Sequence, residues 1–255
     1  MDWTRPGLGL RIGGHRGAAG EAPENTYAGF AVAADVGVEY LELDVQLSSD
    51  RIAMVFHDEE LDRTTDGTGP FGAHSSRELL GLDAGAWFGA RYRGERIPTL
   101  DGLLAWLAKR PGLGATIEAK GPGTGGPIAR AIRASRNRSD CSICSFSPDE
   151  LRAAAAVDPS IPRMLIADRD EPDADLFALA VAAGAAALNV PIDWLTGNLV
   201  ARLHTAGLLV AGGTVDDAVG IRTCLELQID LVDTNRPGVV VATRNALVGH
   251  GPVGR

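Results

Sequence analysis

Two short stretches each carry two charged side chains one residue apart, Leu41-Glu42-Leu43-Asp44-Val45 and Ile117-Glu118-Ala119-Lys120. On an extended chain successive side chains alternate faces, so Glu42 and Asp44 project together, as do Glu118 and Lys120. A solvated edge strand is the plainer account of two neighbouring acids. The leucines and Val45, continued by Leu47, instead mark an interior strand, whose carboxylates must find a cation or a hydrogen-bond donor. Three carboxylates with no thiolate suit a hard divalent cation, Mg²⁺ or Ca²⁺, with Glu42, Asp44 and Glu118 as its ligands. Arg16 and Lys120 add positive charge beside that cation, which fits an anionic substrate such as a phosphate ester; Arg16 offers a two-pronged contact and Lys120 a point charge. His15 and His57 exchange protons near neutral pH, as the acid and base of phosphodiester cleavage must.

These residues lie far apart in sequence, so a scaffold has to gather them. Apolar runs beginning near residues 8, 38, 115, 141, 163, 185, 208 and 230 read as strands, the first breaking at Gly13-Gly14. Helical patterns fill the gaps, among them Leu100–Ala108, Pro127–Ser135, Pro148–Val157, Ala174–Ala183, Asp193–Thr205 and Asp216–Leu225. Strands alternating with helices imply a parallel sheet, and eight strands close an α/β barrel, the TIM (β/α)8 barrel. An open doubly wound sheet is the rival, but no G-x-G-x-x-G follows the first strand. Ile52–Phe56 reads as a hairpin partner of the second strand. Residues 59 to 98, rich in glycine, read as a small insertion after that strand, folded over one end of the scaffold. A barrel gathers functional residues at the C-terminal ends of its strands, and His15, Arg16, Glu42, Asp44, His57, Glu118 and Lys120 all fall there.

Composition narrows the function further. The 255 residues suit a single barrel domain spanning the chain. A net charge of −9 argues against a general nucleic-acid binder. Lysine occurs only as Lys109 and Lys120, which makes the placement of Lys120 beside Glu118 informative. Cys141, Cys144 and Cys224 read as buried structural thiols rather than a disulfide framework. The opening residues lack the pattern of a secretory signal, and the apolar window Leu176–Leu188 is too short for a membrane span, so a cytoplasmic protein with no integral membrane segment is expected. His74, His204 and His250 read as capping or solvated residues, Asp58 as the partner of a turn or of His57, and Gly249–Arg255 as a frayed tail. Oligomeric state is left open.

In order and spacing, His15-Arg16-Gly17, Pro23-Glu24-Asn25-Thr26, Glu42-Leu43-Asp44-Val45, His57-Asp58 and Ile117-Glu118-Ala119-Lys120 resemble the glycerophosphodiester phosphodiesterase family. Leu61-Asp62-Arg63-Thr64-Thr65, Ile97-Pro98-Thr99-Leu100 and Ser145-Phe146-Ser147 extend the resemblance across residues 11 to 237. The resemblance implies a TIM barrel with an insertion after its second strand. It also implies metal ligation by Glu42, Asp44 and Glu118, acid and base roles for His15 and His57, and phosphate contacts from Arg16 and Lys120, with Asn25 in support. The implied reaction is metal-dependent cleavage of a small-molecule glycerophosphodiester to sn-glycerol 3-phosphate and an alcohol, with His15 favoured as base and His57 as acid. The attacking group is a metal-bound water or a hydroxyl of the substrate glycerol, the latter passing through a cyclic phosphate. A lysophospholipase D-like diesterase is the alternative within enzymes, and a non-catalytic phosphate-ligand module the alternative outside them. Two departures bear on the alcohol group: Gly213 stands where the family commonly has an aromatic residue, and Asn235 where it commonly has a carboxylate.

Overall fold

Alternation along the second strand sends its acids one way and its aliphatic side chains the other, and a closed sheet turns those two directions into an inside and an outside. The computed structural model describes residues 2–3, 5–167 and 175–248. In chain order its strands are β1 (Arg11–Gly14), β2 (Tyr40–Leu47), β3 (Ala53–Val55), β4 (Gly114–Ala119), β5 (Cys141–Ser145), β6 (Arg163–Ile166), β7 (Ala187–Val190), β8 (Leu209–Gly213) and β9 (Leu231–Thr234). All but β3 pair in parallel, and β1 bonds to both β2 and β9. Eight parallel strands among the described residues therefore close into a TIM barrel. The barrel is wrapped by α1 (Tyr27–Asp35), α3 (Leu100–Leu107), α4 (Gly125–Ala134), α5 (Pro148–Val157), α6 (Leu176–Ala182), α7 (Gly197–Thr205), α8 (Ala218–Glu226) and α9 (Pro237–Val248), while the one-turn α2 (Ser76–Leu79) lies in the insertion.

Leu41, Leu43 and Val45 pack outward with Ile117, Leu100 and Ile128 between sheet and helices. Tyr40 points inward, joining Trp3, Cys144, Met164, Leu209 and Leu231 inside the barrel. Cys141 and Cys144 fall on opposite faces of β5, both buried and unpaired. Residues 59 to 98 fold over a core of their own, Met54, Phe56, Leu61, Phe71, Leu79, Ala84 and Ile97, with Phe56 and Phe71 stacked at 4.9 Å. β3 pairs antiparallel with β2, Val45 opposite Val55, and so carries the insertion on the barrel rim.

Several boundaries differ from the sequence expectation. The first strand starts at Arg11 and runs through Gly13 and Gly14, since β9 and β2 supply ladder partners to both glycines; Leu8, taken as its start, is 51% exposed. The helix expected over Asp193–Thr205 is a short turn at Ile192–Trp194 followed by α7, because the Thr196 side chain caps the Leu199 amide and starts the helix there. α9 follows β9 where no element was expected; its Val240 and Val241 are buried in the outer core. The expected tail at Gly249–Arg255, His250 included, lies outside the described residues.

Gly13 has a steric purpose. A Cβ there would sit 2.2 Å from the Tyr40 ring and 2.7 Å from the Asp233 carboxylate, so its absence lets Tyr40 cross the barrel and donate to Asp233 at 2.8 Å. G13A is expected to lower stability by about 1–3 kcal/mol through overpacking, measured by urea unfolding. G72A, where a Cβ meets nothing within 4 Å, is the control and should shift stability by no more than about 0.5 kcal/mol.

Candidate metal and phosphate site

Strand register assembles the acids. Asp44 on β2 is the direct neighbour of Glu118 on β4, and Glu42 sits two residues earlier on the same inward face. Carboxylate oxygens of Glu42, Asp44 and Glu118 lie within 4.8 Å of one another, and all three residues are buried. Lys120, one residue beyond β4, returns over the cluster, its Nζ 3.2 Å from Glu118 Oε1 and 3.4 Å from Asp44 Oδ1.

The loop after β1 supplies the opposite wall. Arg16 adopts a left-handed backbone (φ 52°), which aims its amide at Glu42 Oε2, 3.0 Å away. Its side chain pairs with Glu24 at 2.9 Å and brings Nε to 3.5 Å from Asp44, yet that buried Nε has no hydrogen-bond partner. Asn25, also left-handed, donates from Nδ2 to Asp44 Oδ2 at 2.8 Å and accepts the Asp44 amide. The supporting role expected of Asn25 is thus a pair of hydrogen bonds to one carboxylate residue.

The histidines flank the cluster. His15 Nε2 is 3.9 Å from Glu42 Oε2, and its Nδ1 is 2.7 Å from Asn235 Oδ1. His57 Nδ1 meets Asp58 Oδ1 at 2.6 Å, so Asp58 orients His57. Gln46 on β2 holds their segment by donating to the carbonyls of His57 and Asp58. Arg63, from the insertion, donates to Asp58 at 2.9 Å and to both Glu24 oxygens at 2.7 and 2.8 Å. His57 and Arg16 are therefore braced by one chain of ion pairs, Asp58, Arg63 and Glu24.

The electrostatics are those of an acid cluster short of positive charge. Burial, then the neighbouring Asp44, Asp233 and Glu118, pushes the Glu42 carboxyl well above its usual range. Burial and Asp44 push Glu118 up to about 7. Burial acts on Asp44 in the same sense, but Lys120, Arg16, His57 and the Asn25 bond outweigh it and hold that carboxyl below its usual value. His57 is lowered, chiefly by burial, with Arg16 and Lys120 adding to it against Asp44 and Asp58. A fourth acid, Asp233 on β9, is buried beneath the cluster, bonded by Tyr40 and by Asn189 at 3.3 Å. Two buried carboxylates that favour their protons beside one that stays ionised form a site with unmet demand for a cation. Oxygen-only donors suit a hard divalent ion.

Beside the acids opens a cleft of about 360 Å³. Its far wall is apolar, with Cys144, Met164, Ile166, Val190 and Pro191, and Phe146 stands half-exposed at the edge. Gly213 lines it without a side chain, as its departure from the family pattern implied.

Comparison with known proteins gives the family. Residues 15–239 match the model of the glycerophosphoryl diester phosphodiesterase family. The chain belongs to that family. It is 37% identical over 152 residues to a glycerophosphodiester phosphodiesterase of Caldanaerobacter subterraneus, covering 58% of this chain and 62% of that one. With Bacillus subtilis YhdW it is 50% identical over 107 residues, 42% of this chain and 43% of that relative. The chain thus spans less than two thirds of either relative. A solved Oleispira antarctica phosphodiesterase, in complex with the product sn-glycerol-3-phosphate, superposes with a TM-score of 0.85 at 29% identity, covering 91% of this chain and 96% of that one.

Every residue singled out from the sequence, His15, Arg16, Glu42, Asp44, His57, Glu118 and Lys120, lies in or against this one mouth. His204 is elsewhere, bonded to Asp230 at 2.8 Å. Sequence reasoning gave no role to Arg63, Asp216 or Asp233. Arg63 and Glu24 stand inside the motifs that carry the family resemblance, the one signal that pointed to them. Among the described residues no helix is long and apolar enough to cross a membrane.

A carboxyl raised to about 7 in the folded chain but titrating near its ordinary 4.5 when unfolded binds more protons folded than unfolded between those values. Its contribution to stability is complete below 4.5 and is lost as pH rises through 7. E118Q removes that loss, so metal-free E118Q should gain melting temperature relative to the wild type as pH rises from 4.5 to 7. Added divalent cation should stabilise the wild type more than E118Q. A difference between the two chains that is independent of pH would contradict this electrostatic account.

Proposed function

We propose that this chain hydrolyses glycerophosphodiesters to sn-glycerol 3-phosphate and an alcohol, using a divalent cation, Mg²⁺ or Ca²⁺, held by Glu42, Asp44 and Glu118. The observation that carries the reading is the convergence of three buried carboxylates between two histidines, with the unpartnered Arg16 Nε turned toward them. When bound, such a cation supplies Lewis-acid polarisation of a phosphoryl oxygen. Arg16 and Lys120 bind the other phosphate oxygens and offset the charge that grows on them in the transition state. His15 takes the proton from the attacking water or glycerol hydroxyl through Nε2 as that oxygen bonds to phosphorus; where the glycerol hydroxyl attacks, the product is a cyclic phosphate, which a water then opens to sn-glycerol 3-phosphate. His57 gives its proton to the departing alcohol oxygen as that bond to phosphorus breaks. Asp58, bonded to His57 Nδ1 at 2.6 Å, steadies the ring through that transfer. The product sn-glycerol 3-phosphate held by the Oleispira relative supports the glycerol side of this reading.

The apolar wall of Met164, Ile166 and Val190 favours a second reading, a lysophospholipase D-like enzyme whose leaving group carries hydrocarbon. Glycerophosphocholine, glycerophosphoethanolamine and a lysophospholipid assayed with Mg²⁺, Ca²⁺, Mn²⁺ or EDTA separate the two. The first reading expects sn-glycerol 3-phosphate from the water-soluble diesters and loss of turnover on chelation. A strong preference for the lysophospholipid would replace it with the second. H15A and H57A should each lower kcat by roughly 100-fold or more, and near-normal rates in both would sink the mechanism.

A further inference from the structure

His15 is held by a hydrogen-bond chain whose direction can be read from its far end. The Asp216 side chain, in the loop between β8 and α8, accepts from Thr234 Oγ1 at 2.9 Å and from the Asn235 amide at 2.7 Å through Oδ1. Its Oδ2 accepts from Asn235 Nδ2 at 2.9 Å. A carboxylate can only accept, so the NH₂ of Asn235 must face Asp216, and the amide oxygen is left facing His15 Nδ1 at 2.7 Å. That oxygen also only accepts, so Nδ1 carries the ring hydrogen. A neutral imidazole has one N–H, and the lone pair therefore resides on Nε2, the nitrogen turned to Glu42 and the cleft.

We infer that Asp216 and Asn235 are positioning residues that fix His15 as its Nδ1–H tautomer, with Nε2 the proton acceptor. Backbone bonds set the spacing of the chain: the His15 amide donates to the Thr234 carbonyl at 2.8 Å, and the Val215 amide to the Asp233 carbonyl at 2.9 Å. The two histidines are thereby treated differently. Asp58 offers His57 a full negative charge, whereas Asn235 offers His15 orientation without one. Asparagine at position 235 thus selects a tautomer through its own polarity, which Asp216 sets.

The inference rests on the reading of His15 as the base, and the test separates the two. In ¹⁵N-histidine-labelled protein, at a pH high enough that the His15 ring signals no longer change with pH, the neutral ring should show a protonated Nδ1 and an unprotonated Nε2. A wild-type His15 carrying its proton on Nε2 overturns the inference with no variant needed. D216N removes the acceptor that orders Asn235, and should shift His15 toward the Nε2–H form and lower kcat by about 10- to 100-fold, with KM little changed. The exchanged double variant D216N/N235D rebuilds the chain with the amide and carboxylate swapped, and should restore both the tautomer and most of kcat. D216N with the wild-type tautomer and kcat overturns the inference and leaves the base intact. An active H15A overturns the base itself, whatever the tautomer.

Discussion

The mouth of this barrel depends on the burial of four carboxylates with too little positive charge to neutralise them. Glu42, Asp44, Glu118 and Asp233 are each no more than 8% exposed, and the cations in contact with the three clustered acids among the described residues are Lys120 and Arg16. Arg16 is shared with Glu24, so it is only partly available. Bringing such charges out of water costs several kcal/mol per ion unless partners replace the lost solvation. The chain tolerates the arrangement because backbone and side-chain donors take up the remaining lone pairs: the Arg16 amide on Glu42, Asn25 on Asp44, Tyr40 and Asn189 on Asp233. What those donors leave unmet is charge, and a divalent cation is what three oxygen ligands at this separation accommodate.

The surrounding architecture follows from holding that cluster in place. The β2–β4 register fixes Asp44 against Glu118, the missing side chain of Gly13 admits Tyr40 to Asp233, and the left-handed Arg16 turns the β1 loop back over Glu42. The insertion has a part in this as well. Arg63 links Asp58, the partner of His57, to Glu24, the partner of Arg16, so a segment outside the barrel braces His57 and Arg16 together.

Much of this was legible in the sequence because the relevant physics is local. Alternation on a strand is enough to put Glu42 with Asp44 and Glu118 with Lys120, and eight apolar runs separated by helical patterns are enough for a barrel whose C-terminal ends meet. Residues whose role depends on distant partners were not legible. Asp216 looks like a helix start next to Asp217, and Asp217 is the residue that caps α8, while Asp216 turns inward to Asn235. Asp233 reads as one polar residue in a short strand until the barrel closes and places it under Glu42. Gly13-Gly14 reads as a break, since glycine usually interrupts strands, and only the close approach of Tyr40 explains glycine inside β1. The Asn235 departure, expected to lie away from the metal motifs and to bear on the alcohol group, instead contacts His15, which stands beside Glu42.

The account stands on the three carboxylates holding one cation between them. Crystals grown with Mn²⁺ and measured at its absorption edge test this most directly. The account predicts a single strong anomalous peak at the barrel mouth, within bonding distance of Glu42, Asp44 and Glu118 and lost in E118Q. A mouth without a peak at saturating Mn²⁺, its acids paired only with Lys120, Arg16 and Asn25, would contradict it.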